Sequence, residues 1–183
     1  KRENDALQLR VHPTLIPEAK AIAQVDGVLN AVMINASGVG ELLLVGPGAG
    51  SRPTASAVMA DVVSVARSIA SGEQPSIHSM GVGFSAMSQL TIADINEVSS
   101  AWYLRLDAED KPGVMASLTQ CLSQHGIGIE SLIQKPESAA LAKVPVILMT
   151  DEAPTRAIEQ AIADIEALPS VGGPVTCLRV ENF

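Results

Sequence analysis

The stretch VGPGAGSRPTASAVMADVV, residues 45–63, sets Gly46, Gly48 and Gly50 at the head of an apolar-periodic segment. Glycine lets a backbone take positive φ and approach a ligand with no Cβ in the way. A helix starting there aims unpaired N–H groups and the positive end of its dipole at the loop, a place suited to a phosphate or another anion. The spacing is neither G-x-G-x-x-G with an acid about twenty residues on, nor a Walker loop with its Lys-Ser/Thr. On the residues alone, a tight structural turn accounts for GPGAG as well as a ligand does.

A second candidate is DAEDKPGV, residues 107–114. Pro112 stiffens the turn, Gly113 permits close approach, and the N–H groups of Gly113 and Val114 open at a helix N-terminus, where a carboxylate fits. Asp110, in the acidic run 107–110, either caps that helix or meets a ligand's ammonium group. A capped β–α turn holding nothing is the competing reading. His12, His78 and His125 have no matched partner that makes a general base. Cys121 on a helix stripe and Cys177 on a strand read as inert thiols, and two cysteines give neither a disulfide framework nor metal spacing.

These residues need positioning elements. Strand-like runs at 7–11, 29–35 and 41–46 come first, with 16–25 a short helix between the first two. The periodicity predicts a helix over 53–69, through Ala55, Val58, Met59, Val62, Ala66 and Ile69. Residues 71–100 are rich in Ser, Gly and polar residues and read as a linker. Beyond it the order is regular: strand AWYLRLDA with Trp102, Leu104 and Leu106 on one face; helix VMASLTQCLSQHG, stopped by Gly126; strands IGIESLIQK and VPVILMT; a helix from Pro154; and strand PVTCLRVEN. That is βαββαβ, the ferredoxin-like plan, with both helices on one face of a four-stranded antiparallel sheet. The other face then carries Tyr103, Arg105, Ile147, Met149, Val175 and Cys177, whose apolar members ask for cover.

Composition bounds the function. The 183 residues are 47% hydrophobic but only 2% aromatic, so the core is aliphatic. A net charge of −8 and the lack of a stacking platform exclude nucleic acid as a partner. The apolar runs are too short to span a membrane, and KRENDALQLR holds no signal-peptide h-region. The compartment expected is reduced and cytoplasmic. The abrupt start into LQLRV reads as a fragment, or as the ordered remainder of a longer chain.

Taken in order, RVHPTLIP, VDGVLNAVMI, VGPGAGSRPTASAVMADVV and YLRLDAEDKPGVMASLTQCLSQHGIGIESLIQK resemble the C-terminal part of homoserine dehydrogenase with its appended ACT domain. GPGAG with PTASAV carries the first likeness, DKPGV and GIGIESLIQK the second. The resemblance implies residues 1–70 as the end of the catalytic domain (a mixed sheet plus a returning helix), 71–100 as a linker, and 101–183 as a regulatory ACT domain. It implies an oxidoreductase interconverting L-homoserine and L-aspartate 4-semialdehyde with NAD or NADP, and a homo-oligomer, dimer or tetramer. In that family the nucleotide fingerprint and the catalytic lysine lie upstream of the matching segment. Lys1, Lys20, Lys111, Lys135 and Lys143 have no such context, and no catalytic residue is expected here. Gly50 matches the loop glycine lying against the cofactor, with Gly48 and Ala49 as neighbours, whereas Arg52 reads as a solvated helix-start residue. The turn in INASGVG departs from relatives that carry an acid or Asn there, which touches only a surface hairpin. The ACT domain implies an amino-acid effector, L-threonine foremost, held by Asp110, Gly113 and Val114, with Ser131 and Gln134 reaching its hydroxyl from the same or a partner subunit. The rival is a non-catalytic ACT-type amino-acid sensor, against which the glycine loop and the three strands before it argue.

Overall fold

Trp102, Leu104, Leu106 and Ala108 alternate with more exposed residues along one strand, Ser99–Ala108, and this inward row organises the larger half of the molecule. The computed structural model describes residues 1–3, 6–72, 87, 89–134 and 143–182; His78, Lys135 and half of the expected linker lie outside them. The elements are β1 (Arg2–Glu3), β2 (Ala6–Leu7), β3 (Thr14–Leu15), β4 (Leu29–Ala36), β5 (Gly40–Pro47), α1 (Ser51–Ser71) and β6 (Thr91–Ile92). They continue with β7 (Ser99–Ala108), α2 (Val114–Gln124), β8 (Ile129–Gln134), β9 (Val144–Thr150), β10 (Ala153–Pro154), α3 (Thr155–Glu166) and β11 (Val171–Val180). They form two compact units, one from Lys1–Ile16 with Leu90–Phe183, the other from Pro17–Gln89.

In the first unit β7, β8, β9 and β11 make an antiparallel sheet in the order β11-β7-β9-β8, the ferredoxin-like arrangement. Both helices pack on one face. Leu118 and Leu122 of α2 and Ile158, Ala161 and Ile165 of α3 meet Leu104, Val146 and Leu148 of the sheet. Most of these are fully buried, and each large one contributes about 1.5–3 kcal/mol. Gly126, at φ +71, ends α2 as its sequence position suggests, with Ile127 N–H returning to the Leu122 carbonyl.

Three expectations change. The strand foreseen over 7–11 shrinks to Ala6–Leu7, paired with β1 and β6, while Thr14–Leu15 runs parallel to Arg179–Val180 and extends the large sheet. The early strands therefore belong to three sheets. The helix over 16–25 is a 3-10 turn, Ala21–Gln24. Val175 and Cys177 pack against the core instead of facing away from the helices, since Cys177 stands opposite Leu104. The open face carries Thr176 and Leu178 opposite Arg105 and Tyr103. A register shift between Gly172 and Thr176 sets this phase, which turns Arg179 inward, where alternation of residue type puts an apolar side chain.

The second unit is a hairpin of β4 and β5, in register from Leu29↔Pro47 to Ala36↔Gly40, followed by α1. None of its described residues is buried.

Candidate functional site

The glycine loop closes the hairpin and opens α1. Gly48 N–H donates to the Val28 carbonyl at 3.2 Å, so the loop is tied to the residue preceding β4. A Cβ at Gly48 would meet the side-chain amide of exposed Asn30, which would have to move aside. Gly50 sits at φ +125, where side chains are strained, and is the N-cap of α1. Gly46 and Gly48 do not adopt positive φ, so only Gly50 uses that freedom. No side chain caps α1 and no acid occupies its first turn. The N-terminus of a 21-residue helix thus faces outward from exposed Gly48, Ala49 and Gly50 with its N–H groups uncapped by side chains and its dipole uncompensated. A dinucleotide's pyrophosphate placed there would be held through backbone N–H groups, with Gly50 leaving room for close approach. Bound there, such a cofactor would supply the hydride acceptor or donor.

The second candidate lies at the far end of β7. Gly113, at φ +90, is the N-cap of α2, again without a side-chain cap. Val114 buries its side chain in the core, and its N–H is engaged by the Lys111 carbonyl at 3.3 Å. Asp110 Oδ1 accepts from Gln134 Nε2 at 2.9 Å, so the end of β8 and the turn before α2 are joined by side chains. Glu109 pairs with Lys111 at 2.9 Å, and the hydrogen bond and charge of Lys111 hold its carboxyl below the ordinary value. Asp110, Gly113, Val114 and Gln134 therefore gather at one place. Ser131 does not join them: it lies opposite Met149 on the open face, whereas Gln134 stands opposite Val146 on the helix face. Residues of odd and even number on one strand cannot share a side. Among the described residues no group of His, Cys, Asp and Glu could hold a metal ion, and no helix is long and apolar enough to cross a membrane.

Sequence reading missed a third cluster. Arg179 is 6% exposed, lies 4.2 Å from the centre of the Trp102 ring, and donates to Ser100 Oγ at 2.9 Å and Thr155 Oγ1 at 2.6 Å. Arg10 donates to the same Ser100 Oγ at 3.2 Å and pairs with Glu181 at 2.6 Å. Lys1 meets the other Glu181 oxygen at 2.6 Å. Burial, then the charge of Arg10, lowers the Arg179 pKa; Glu181 is pushed up by burial but held below its usual range by Lys1 and Arg10. The available signal was an Arg in a strand opposite the chain's single Trp, a pairing that a stacked guanidinium satisfies. Both thiols are as expected: burial raises Cys121 and pushes Cys177 up to about 11.

The described elements are a hairpin and a glycine-headed helix, then a βαββαβ domain with a 4-1-3-2 sheet. Residues 104–172 match the family "AHAS small subunit-like ACT domain", and residues 3–63 match the family "Homoserine dehydrogenase". Homoserine dehydrogenase of Pseudomonas aeruginosa is 45% identical over 183 residues, all of this chain and 42% of that protein. The enzyme of Neisseria gonorrhoeae is 39% identical over the same span, again 42% of its length. The crystal structure of a homoserine dehydrogenase from Thiobacillus denitrificans superposes with a TM-score of 0.86 at 40% identity, covering all of this chain and 41% of that one. Over its whole length the chain is similar to homoserine dehydrogenases, with the match to the ACT family lying after the match to the homoserine dehydrogenase family. It spans about two fifths of the length of the relatives it matches.

Proposed function

We propose that this chain is the C-terminal portion of an enzyme that interconverts L-homoserine and L-aspartate 4-semialdehyde by hydride exchange with NAD or NADP, within threonine and methionine biosynthesis. The observation that carries this reading is the unbroken 45% identity across all 183 residues with a homoserine dehydrogenase, through both the glycine loop and the ACT domain. In this reading Gly48, Ala49 and Gly50 form the late side of the dinucleotide site, and residues upstream of the segment supply the rest, including the catalytic lysine. The chain alone is inactive. Residues 1–70 serve catalysis, 71–100 link, and 101–183 regulate. The working compartment is the cytoplasm, and the assembly is a dimer or tetramer.

The ACT domain binds an amino acid, L-threonine. An α-carboxylate meets the outward-facing end of α2 at Gly113, where the exposed glycine leaves room. Asp110 takes the ammonium group and gives up or shares its bond to Gln134, which then turns to the ligand hydroxyl. Ser131, on the opposite face, reaches a ligand only when a partner subunit presents that face. Calorimetry with threonine, isoleucine, methionine, lysine and serine tests this. Heat with threonine that disappears in Asp110→Ala supports the site, and silence with all five leaves the domain an assembly role only.

A further inference from the structure

Residues 1–16 fold with the ACT domain, yet none is among the described members of its hydrophobic core, which lie between Trp102 and Val175 or are Cys177. Leu9 and Val11 are exposed, and Leu15 is 37% exposed. What holds the segment is polar: two residue pairs of β3 along β11, two of β2 along β6 with the Ala93 N–H donating to the Leu7 carbonyl at 2.9 Å, the Glu181 N–H donating to the Leu15 carbonyl at 3.0 Å, the Lys1–Glu181 ion pair, and the Arg10–Glu181 ion pair. That ion pair is well sheltered, with its side chains 10% and 11% exposed. Beneath it two guanidiniums, Arg10 and Arg179, converge on a single hydroxyl of Ser100. The Glu181 carboxylate is what makes that approach tolerable, and without it the two cations repel in a partly dry setting. A segment with few apolar contacts and one concentrated polar lock opens locally, well below the free energy of unfolding the domain. At Pro17 the same segment runs on into the stretch that reaches the glycine loop.

We propose that residues 1–16 are a releasable strap, docked on β11 by a latch of Arg10 and Glu181, that opens while the rest of its unit stays folded. The strap swings as a unit, while the βαββαβ core stays folded. This goes beyond the effector reading and does not depend on which amino acid binds, because opening is a property of the latch itself.

Hydrogen exchange on the 183-residue chain tests it. In the unmutated chain the Glu181 amide exchanges through local opening, with protection nearly independent of low urea, whereas protection of the Leu148 amide falls with urea as global unfolding requires. In Glu181→Gln and Arg10→Met, exchange at Glu181 rises about tenfold or more, with Leu148 and Leu118 within about twofold. The emission of Trp102, the sole tryptophan, shifts as Arg179 loses its setting. An Arg156→Gln control, which breaks the exposed pair with Glu97, leaves all three amides unchanged. Identical urea dependence at Glu181 and Leu148 in the unmutated chain overturns the proposal, as does a uniform rise across the domain or no rise in either latch variant.

Discussion

The two units of this chain have comparable shares of Val, Leu and Ile but use them differently. In the first, Leu104, Leu118, Leu122, Leu148, Ile158 and Ile165 are at most 1% exposed. In the second, α1 keeps Val58, Met59, Val62, Val65 and Ile69 more than half exposed, and hairpin residues Val32 and Leu44 are equally open. One region completes its own core within about eighty residues; the other carries a hydrophobic surface with nothing described covering it. An apolar helix stripe of that size marks an interaction surface. In the proposed reading, the remainder of the longer protein would cover it.

The contrast breaks most clearly in the core. Leu148→Ala should cost about 2–5 kcal/mol in urea denaturation followed by Trp102 emission, because a fully enclosed site cannot collapse around the loss. The polar latch ranks next. Since the Glu181 carboxyl is held below its ordinary value in the folded state, its stabilisation is complete above the ordinary glutamate range and is lost as pH falls through the lowered value. Protection of the residue-181 amide, corrected for intrinsic exchange, should therefore drop on acidification, and less steeply in Glu181→Gln, with the urea midpoint little changed; equal slopes remove Glu181 from the account. In the second unit Gly50→Val should raise the KM for the nicotinamide cofactor in the complete enzyme about tenfold, and that for homoserine much less, because a β-branched residue is strained at this φ. An unchanged cofactor KM in a folded variant returns the loop to a structural role. The smallest effect is expected on the exposed stripe, where Val62→Ala changes the stability of this chain by less than about 0.5 kcal/mol. A large loss there would mean that α1 is already covered within these residues.

Where side-chain type and period agree, the fold was legible. Trp102, Leu104 and Leu106 named the inner face of β7, Val114, Leu118, Cys121 and Leu122 named that of α2, and Gly126 named its end. The last strand was not readable by alternation. It buries Arg179 and leaves Leu178 facing away from the helices, because a stacked Trp and two hydroxyls offset burial of a guanidinium, and no pattern of apolar residues encodes that. The pairing of Thr14–Leu15 with β11 was equally hidden, since it joins residues more than 160 positions apart through backbone groups. Of the effector candidates, Asp110 and Gln134 meet through a hydrogen bond between a β–α turn and a neighbouring strand, whereas Ser131 stands on the other face of that strand. The glycine loop was legible as a motif, but only Gly50 needs its backbone freedom; Gly48 lies beside Asn30, a neighbour set by the hairpin register.

The central claim, that this chain completes a homoserine dehydrogenase, is tested most directly by one spectrophotometric assay. L-Homoserine and NAD or NADP are offered to the complete protein and, in parallel, to the 183-residue chain. Homoserine-dependent reduction of the nicotinamide by the complete protein, with none by the chain alone, is the predicted result. A complete protein that folds yet reduces neither cofactor with homoserine, or turnover by the chain alone, would contradict it.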